Sequence, residues 1–592
     1  MHLPRAILAL TLCAAAFAAK TTMKPKTPAL TAEQRAAQLM MKPLSLRDRV
    51  AQLIIGACYG DAPSSRSAEF KKYDHWVHDL HIGGLIVVNR VQNGMVRYAE
   101  PHAMAVFLNR MQKMAKVPLI VAGDFERGSS MRVAGGTPFP YSMAFAAARD
   151  PEATHFEGLV TAREARALGV HWILAPVADV NNNPENPVIN IRSYGENPNE
   201  VAEHVTAYIE GAHSDPKTRV LVSAKHFPGH GDTNINSHLG MARLEASKER
   251  MEAVELKPFR AAIAHGADSV MTAHMSVPAI EPEEIPATVS PKVLTGLLRG
   301  ELEFKGIIVT DALDMAGVTA KFHGGEASVR ALEAGADVLL MPPNPEQAIR
   351  AVVAAIESGR LTRRRVEESV LRVLAAKIHV GLSPRKKLVD LEAISDVLDP
   401  PEADERAQQV ADRAVTLVRN EGNVVPLANP DSSCLVVLVE RRQSQYGQRI
   451  IDEVRKRAPQ MRVAVLDASL PGAALADAAG DTARCHAIAV TTFVTASDTR
   501  NTVALGGDLG PFLEKLTAGP APVVLVSLGS PYLLASFPKA AAYLATFSVA
   551  STSEIAAVKA LFGEIPITGH LPVTIPGFAR YGDGIQTPAK TH

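Results

Sequence analysis

Short apolar runs recur at intervals along the chain and predict the strands of a large α/β protein. Eight of them lie in the first two thirds of the sequence, at residues 52–57, 84–88, 118–122, 172–177, 220–224, 269–272, 306–310 and 337–341. Between most of these runs the apolar positions follow a helical period, as they do over residues 249–265. Continuous apolar runs are typical of parallel strands buried on both faces, so the alternation favours a (β/α)8 barrel of the TIM type. A doubly wound sheet is the alternative, but no Gly-rich nucleotide-binding fingerprint follows the first run.

A second α/β region follows the barrel. Apolar runs at residues 434–439, 463–466, 487–493, 522–528 and 541–546 alternate with helical stretches. A chain of 592 residues is too long for a single core, so two domains are expected. The Asp-Pro-Pro-Glu segment at 399–402 resembles a linker. We therefore predict a barrel domain over residues 44–398, a linker over 399–404 and a smaller C-terminal α/β sandwich domain over 405–592. The second domain is expected to pack against the barrel or to contribute a loop to its mouth.

The N-terminus has the pattern of an export signal. Arg5 supplies the positive charge, residues 6–15 form an apolar core, and Ala16-Phe17-Ala18 is a small-residue cleavage site, which predicts a signal peptide over residues 1–18. The apolar run is too short to span a membrane. Residues 19–43 are rich in Lys, Thr and Pro and are expected to form a tether. The mature protein is thus predicted to be exported, to the periplasm or the outside of the cell.

Charge and cysteine content narrow the possible partners. The chain carries 62 basic and 62 acidic residues, which gives no reason to expect a nucleic acid or an anionic membrane as partner. Apart from Cys13 in the signal, the cysteines are Cys58, Cys434 and Cys485. An odd and scattered set of three gives no disulfide framework, so they are expected to be buried thiols.

Polar side chains follow most of the predicted barrel strands. They are Asp124 and Glu126 after the third run, Asp179 after the fourth, Lys225 and His226 after the fifth, His274 after the sixth and Asp311 after the seventh. The C-terminal ends of barrel strands meet at one mouth, where enzymes of this fold act. Each of these groups alone could serve only as a structural hydrogen-bonding group. For Asp179 a structural role and a catalytic role are equally compatible with the sequence. Together they predict an active site.

The segment A-K-H-F-P-G-H-G-D-T-N-I-N-S-H-L at residues 224–239 is the most concentrated of these signals. Pro228, Gly229 and Gly231 exclude a helix and allow tight turns. Lys225, His226 and His238 are then candidate ligands or proton carriers. A structural zinc site would use Cys and His pairs at short spacing, and no cysteine lies near this segment.

Several motifs resemble those of glycoside hydrolase family 3, in its β-N-acetylhexosaminidase branch. They are G-D-F-E-R-G-S-S-M-R at 123–132, I-R-S-Y-G-E-N-P at 191–198, K-H-F-P-G-H-G at 225–231 with Ser237-His238, and V-T-D-A-L-D-M at 309–315. In the second domain they are A-V-T-L-V-R-N at 414–420 and G-E-I-P-I-T-G-H-L-P-V-T-I-P at 563–576. The similarity extends from about Leu44 to Pro576. The Lys-His loop is specific to the branch, whereas the second-domain motifs mark the wider family.

The resemblance implies a role for each candidate residue. Asp311, which the sequence also places directly after a strand, would be the nucleophile, and Asp314 is its rival. His238 would be the acid/base residue, although it could merely brace its loop. The resemblance further implies that the sugar is held by Asp124, Arg132, Arg192, Lys225 and His226. His230 and Asp232 are expected to stabilise the loop and His274 to line the site. No metal and no organic cofactor is implied.

One position departs from the family pattern. Two residues before the acid/base histidine the branch usually has an aspartate, and this chain has Asn236. An aspartate would orient the ring and stabilise the imidazolium, whereas an amide supplies no charge. We count Asn236 with the catalytic candidates, and Asp232 is the alternative partner of His238.

Three functions remain open on this basis. The first is an exported retaining β-N-acetylhexosaminidase (EC 3.2.1.52), acting on terminal non-reducing GlcNAc of peptidoglycan fragments or chitooligosaccharides. The second is a phosphorolytic enzyme, because a site without a carboxylate beside the histidine would repel phosphate less. The third is a non-catalytic sugar-binding relative. In each case the partner is a carbohydrate, and the sequence does not fix the oligomeric state.

Overall fold

The first domain is a barrel of eight parallel strands. The computed structural model describes residues 30–93, 95–482, 484–497 and 499–590. The barrel strands are β1 (Ile54–Cys58), β2 (Gly84–Val87), β3 (Ile120–Gly123), β4 (Trp172–Ile173), β5 (Leu221–Phe227), β6 (Ser269–Thr272), β7 (Ile307–Val309) and β8 (Leu339–Leu340). Each strand pairs with the one before it, and β8 pairs with β1. A parallel bridge between Val309 and Val338 joins the last two strands, so the predicted barrel is confirmed.

Helices surround the barrel. They are Ala32–Met41, Leu46–Ala51, Ala68–Asp74, Pro101–Met114, Ser142–Ala148, Pro151–Ala167, Pro198–His213, Lys248–Ala253, Lys257–Ala264, Ala316–Thr319, Glu326–Ala334, Pro345–Glu357, Arg363–His379 and Ile394–Val397, with π-helical turns at His75–Asp79 and Lys292–Glu301. Prolines in the first turn and side-chain caps such as Asp150 and Asn344 start several of them. The predicted single helix over 249–265 is two helices, because the backbone leaves the helical region at Val254.

The second domain is a six-stranded sheet between helices. Its strands are β9 (Thr416–Asn420), β10 (Cys434–Val439), β11 (Arg462–Asp467), β12 (Ile488–Thr492), β13 (Val523–Ser527) and β14 (Ala542–Ala545), in the order β9-β14-β13-β12-β10-β11. Only the pairing of β9 with β14 is antiparallel among these strands. The helices are Pro401–Ala414, Gln448–Arg457, Gly472–Thr482, Leu509–Thr517, Leu533–Ser536 and Ser551–Phe562.

Alternate residues of the second sheet face two different cores. Leu435 and Val437 of β10 belong to a separate cluster under one face, whereas Val436 and Leu438 join the core that continues into the barrel. Successive side chains of a strand point to opposite faces, so the sheet is buried on both sides. The predicted α/β sandwich is thereby confirmed.

Two predicted connecting segments are partly helical. The tether predicted over residues 19–43 is wrong for its second half, because Ala32–Met41 form a helix that contacts helix Arg363–His379. Thr31 caps this helix, and Gln34 completes a capping box. The linker predicted over 399–404 is wrong from Pro401 onward, where helix Pro401–Ala414 begins. The predicted signal peptide lies outside the described residues.

The cysteines also differ from expectation. Cys434 and Cys485 form a disulfide with a Cα–Cα distance of 5.8 Å, so the prediction of buried thiols is wrong for both. Cys434 begins β10 and Cys485 precedes β12, and the two strands are neighbours in the sheet. Cys58 is a buried free thiol, and burial raises its pKa to about 12.

No helix in the part of the chain that the structure describes is both long and apolar enough to cross a bilayer.

Candidate active site

The predicted site residues converge at the C-terminal ends of the barrel strands. Asp124 and Glu126 follow β3, and Asp311 follows β7. Lys225 and His226 lie within β5 rather than after it, because this strand continues to Phe227. Rigid strands therefore position these side chains before any ligand arrives.

Lys225 is the centre of a buried ion-pair cluster. Its Nζ lies 3.0 Å from Asp124 Oδ1 and 2.7 Å from Glu126 Oε1, and only 2% of its side chain is exposed. Burial alone would lower the pKa of Lys225, but the two carboxylates outweigh burial and raise it. Conversely, burial favours the neutral form of Glu126, but Arg192 and Lys225 hold the pKa of this carboxyl well below its usual range. The cluster is therefore ionised at neutral pH.

Two arginines complete the cluster. Arg132 Nη2 donates to Asp124 Oδ2 at 3.0 Å, and its Nη1 donates to Asn89 Oδ1 at 2.8 Å. Arg192 donates two hydrogen bonds to the Glu126 carboxylate, of 2.9 Å from Nε and 2.7 Å from Nη2. Asp124 and Arg132 each keep 20% of the side chain exposed, so both can reach a ligand. The sequence assigned no role to Glu126, although its spacing of two from Asp124 indicated the same face.

Asp179 fixes the orientation of His226. Its Oδ2 lies 2.8 Å from His226 Nδ1, and its carboxylate accepts the main-chain N–H of His226 and of His230. The ring therefore donates from Nδ1, and Nε2 accepts from Arg192 Nη2 at 3.3 Å. Burial opposes ionisation of Asp179, but His226 and His230 lower its pKa. The structure supports the structural alternative for this residue, as a support for His226.

Three histidines stabilise the ionised form of Asp311. Burial disfavours its charge, but His226, His274 and His238 outweigh burial and lower the pKa of the carboxyl. The N–H of Ala312 donates to Asp311 Oδ1 at 2.7 Å. For Asp314, by contrast, partial burial and the charge of Asp311 both raise the pKa. Asp311 is thus the better anion of the two.

His274 supports the turn that carries Asp311. Its Nε2 donates to the carbonyl of Ala312 at 2.9 Å, and its Nδ1 lies 2.8 Å from Thr288 Oγ1. Burial lowers the pKa of His274, which favours the neutral ring. His274 therefore holds Ala312, whose N–H in turn orients the Asp311 carboxylate.

The loop of His238 is tied to the same turn. The N–H of Gly317 donates to the carbonyl of Ser237 at 3.1 Å. A Cβ at Gly317 would lie 2.9 Å from His274 Cβ and 3.0 Å from Ser237 O, so only glycine allows the segments to meet. Residues distant in sequence thus bring His238 to the side of the barrel mouth where Asp311 lies.

Asn236 is a hydrogen-bonding partner of His238. Its Oδ1 accepts from His238 Nδ1 at 2.8 Å and from the His238 main-chain N–H at 3.0 Å. Asp232, the alternative partner, lies 3.1 Å from Arg250 Nη2. His230 Nδ1 lies 2.7 Å from Thr233 Oγ1, which braces the loop as predicted.

The second domain reaches this loop. Asn236 donates its main-chain N–H to Asn501 Oδ1 at 2.9 Å. Its side-chain Nδ2 donates to the carbonyls of Ser497 at 2.7 Å and Arg500 at 3.0 Å. The expectation that the second domain could contribute a loop to the mouth is confirmed, but the sequence did not indicate which residues do so.

Comparison with known proteins covers the same two domains. The model of the glycosyl hydrolase family 3 N terminal domain matches residues 45–376, and that of the family's C-terminal domain matches residues 415–589. Beta-hexosaminidase A of Pseudoalteromonas piscicida is 28% identical over an alignment of 519 positions, which covers 78% of this chain and 84% of that protein.

Two solved structures are similar over nearly the whole chain. A glycoside hydrolase family 3 beta-N-acetylglucosaminidase from Paenibacillus sp. str. FPU-7 has a TM-score of 0.77 at 30% identity, covering 90% of this chain and 99% of that one. A beta-glucoside phosphorylase has a TM-score of 0.81 at 25% identity, covering 92% and 97%. Since the N-terminal family model alone spans more than half of the sequence, the chain belongs to glycosyl hydrolase family 3 and is a glycoside hydrolase.

Proposed function

We propose that this enzyme is a retaining β-N-acetylhexosaminidase that removes terminal non-reducing β-linked GlcNAc. The observation that carries the proposal is Asp311, an anion among His226, His274 and His238, at the mouth that also holds the Lys225 cluster. A carboxylate for attack, an imidazole for proton transfer and a set of fixed polar groups for sugar hydroxyls are the parts that glycoside cleavage needs.

In the first step the Asp311 carboxylate attacks the anomeric carbon of GlcNAc. The bond from that carbon to the aglycone oxygen breaks, and the leaving oxygen takes the proton of His238 Nε2. The products are a glycosyl ester of Asp311 and the free aglycone alcohol. The lowered pKa of Asp311 supports this role, because the attacking group must be ionised.

In the second step a water molecule attacks the same carbon from the side that the aglycone left. His238 Nε2 takes a proton from the water, and the ester bond to Asp311 breaks. Two inversions give net retention of the β configuration. The hydrogen bond from His238 Nδ1 to Asn236 supports Nε2 as the atom that exchanges the proton.

The ion-pair cluster would bind the sugar. Asp124 and Arg132 are partly exposed and would reach the hydroxyl groups, together with Arg192, Lys225 and His226. Charged groups that are already paired keep fixed positions and need little reorganisation on binding. This arrangement favours one sugar orientation at the mouth.

The relatives support the choice of sugar. Beta-hexosaminidase A is named for a hexosamine, and the beta-N-acetylglucosaminidase is named for N-acetylglucosamine. Peptidoglycan fragments and chitooligosaccharides are the natural GlcNAc-ended substrates for an exported enzyme, and the predicted signal peptide at residues 1–18 supports export.

A phosphorolytic reaction is the second candidate. It is favoured by the neutral amide of Asn236 at a position where a carboxylate would repel an anionic acceptor. In that reaction phosphate replaces water in the second step and yields the sugar 1-phosphate. The structural likeness to a beta-glucoside phosphorylase gives it additional support.

One assay distinguishes the candidates. The enzyme is incubated with p-nitrophenyl β-GlcNAc and, in parallel, with the β-glucoside, each with and without inorganic phosphate. We expect nitrophenol and β-configured GlcNAc from the first substrate without phosphate. Sugar 1-phosphate formed only with phosphate would support phosphorolysis, preference for the glucoside would overturn the substrate assignment, and no turnover in either condition would indicate a sugar-binding relative.

A further inference from the structure

Asn236 links the second domain to the loop that carries His238. Every polar group of Asn236 on the side of the second domain has a partner there, through the side chain of Asn501 and the main-chain carbonyls of Ser497 and Arg500. Asn236 is completely buried, so water does not substitute for these partners. Arg500 is held in place within the second domain by Glu440, whose Oε1 lies 3.2 Å from Arg500 Nη1.

These contacts decide which way the amide of Asn236 points. Carbonyl oxygens only accept hydrogen bonds, so the group that faces Ser497 O and Arg500 O must be the Nδ2 donor. The Oδ1 acceptor is then turned toward His238, where it accepts from Nδ1 and from the main-chain N–H. A reversed amide would place an oxygen against two carbonyls and lose both hydrogen bonds.

The amide orientation in turn decides the protonation of the imidazole. Because Oδ1 can only accept, His238 Nδ1 carries a hydrogen. The proton that moves during a reaction is then the one on Nε2. A contact made by the second domain is thereby transmitted through Asn236 to the reacting atom of the barrel.

We infer that three residues of the second domain, Asn501 through its side chain and Ser497 and Arg500 through their carbonyls, form a positioning element for proton transfer by His238. This inference rests on the proposed acid/base role of His238. Asn501 touches neither the nucleophile nor the sugar-binding cluster in the described contacts, so it acts through Asn236. The two domains must therefore be docked for His238 to deliver its proton.

The test uses the dependence of the rate on the leaving group. Proton donation matters little for p-nitrophenol, which leaves as a stable anion, and much for a sugar alcohol. We would measure kcat/KM of the full-length enzyme on p-nitrophenyl β-GlcNAc and on chitobiose. The ratio of the chitobiose value to the nitrophenyl value reports acid catalysis. A general loss of folded enzyme lowers both values and leaves the ratio unchanged.

Four variants make the comparison. Asn501→Ala removes the acceptor of the Asn236 N–H, and Asn501→Asp keeps an oxygen at that place. Thr502→Ala changes the next exposed residue of the same loop as a matched control. His238→Ala removes the proposed acid itself. Thermal unfolding of each variant verifies that it is folded, which is expected because Asn501 is exposed.

The expected results follow the strength of one hydrogen bond. His238→Ala should lower the ratio on the order of 10²- to 10⁴-fold. Asn501→Ala should lower it roughly fivefold to tenfold, as expected for the loss of one positioning hydrogen bond. Asn501→Asp should restore it to nearly the wild-type value, and Thr502→Ala should not change it.

Two results would overturn the inference in distinguishable ways. An unchanged ratio in Asn501→Ala, alongside a lowered ratio in His238→Ala, would reject the positioning role and leave the proposed function intact. An unchanged ratio in His238→Ala would reject His238 as the acid, and with it both the proposed mechanism of proton transfer and the inference.

Discussion

The barrel and the second domain hold their functional groups by different physical means. On the barrel side Glu126 and Lys225 are buried and Asp124 is partly buried, and each of the three charges lies within 3.0 Å of an opposite one. On the side of the second domain the contacts to Asn236 are neutral, made by an amide and two main-chain carbonyls. Ion pairs on strands fix the half of the site that we propose binds the sugar, and hydrogen bonds to a loop fix the half that we propose transfers the proton.

The difference bears on robustness. Buried charges on rigid strands lose a great deal when one partner is removed, since the other stays buried and unpaired. A loop held by neutral hydrogen bonds loses about 1 kcal/mol for each bond. We therefore expect the barrel half to respond to mutation steeply and the interdomain half gradually.

The largest expected effect concerns Asp311, the proposed nucleophile, on the barrel side. Asp311→Ala should lower turnover by roughly 10⁴- to 10⁶-fold, because the covalent step has no substitute carboxylate in position. A 2-fluoro sugar inactivator should label Asp311 in the wild-type enzyme, which peptide mass spectrometry can locate.

Asp314→Ala is the matched control for this prediction. It removes a carboxylate three residues away whose pKa is raised, so it should reduce activity far less. A label on Asp314, or activity retained by Asp311→Ala, would contradict the assignment of the nucleophile.

The next largest effect concerns the ion-pair cluster. Lys225→Met should destabilise the protein by about 1.5–3 kcal/mol, because Asp124 and Glu126 then lose their shared cation and each keeps only its arginine partner. Lys116→Met is the matched control: Lys116 lies 3.0 Å from Asp48 but is 45% exposed, and such pairs contribute about 0–1 kcal/mol. Denaturant unfolding of both variants measures the difference. Equal losses of stability in the two variants would contradict the prediction that burial makes the ion pairs of Lys225 more stabilising than that of Lys116.

Much of this barrel half could be predicted from the sequence. Strands such as β3 and β7 are buried on both faces, so each is an apolar run that is followed by polar residues, as at Asp124 and Asp311. Strand β5 differs, because Lys225 and His226 lie within it. The convergence of these ends follows from the barrel topology and needs no knowledge of individual contacts. The family motifs then indicate a role for each of these residues.

The interdomain half could not be predicted in the same way. Asn236 meets Ser497, Arg500 and Asn501 across more than 260 residues of sequence, and no periodicity encodes such a contact. Strand β9 is not predicted either, because Leu417 and Val418 are its only apolar residues and Arg419 and Asn420 end the run. The Cys434–Cys485 disulfide depends on β10 and β12 being neighbours in the second sheet, and the apolar runs alone do not indicate strand order.

The dependence of stability on pH should also separate the two domains. In the barrel, ion pairs outweigh burial and lower the pKa of Asp124. The contribution of Asp124 to the free energy of unfolding is therefore lost as the pH falls through that lowered pKa. In the second domain burial raises the pKa of Glu554 to about 7, above its usual 4.5. Between pH 4.5 and about pH 7 the Glu554 carboxyl is protonated in the folded protein and ionised in the unfolded protein. The stability that this proton contributes is therefore lost as the pH rises through 7.

Glu554→Gln tests this second sign. The wild-type unfolding temperature should fall between pH 5 and pH 8, with up to about 3 kcal/mol of stability at stake, and the variant should show a flatter profile. Glu421→Gln is the control, since Glu421 lies in the same domain with 74% of its side chain exposed. A wild-type profile that rises over this range, or one that Glu554→Gln leaves unchanged, would contradict the prediction.

The smallest expected effect concerns Asn236, where the two halves meet. From the sequence alone Asn236→Asp is expected to restore a charged pair with His238 and raise hydrolysis. The structure reverses the expected direction, because the new carboxylate would face the carbonyls of Ser497 and Arg500 at about the 2.7 Å and 3.0 Å that now separate donor and acceptor. Two lost hydrogen bonds and the repulsion should lower the maximal kcat/KM on chitobiose roughly tenfold, or about 1.4 kcal/mol. The added charge should still favour the imidazolium and move the alkaline limb of the pH profile upward.

Asp232→Asn is the control, since Asp232 contacts Arg250. Measured from pH 5 to pH 9, a lower plateau with a shifted limb would support the interdomain role of the amide, whereas a higher plateau would mean that the carbonyls impose no constraint and that charge alone governs the pair.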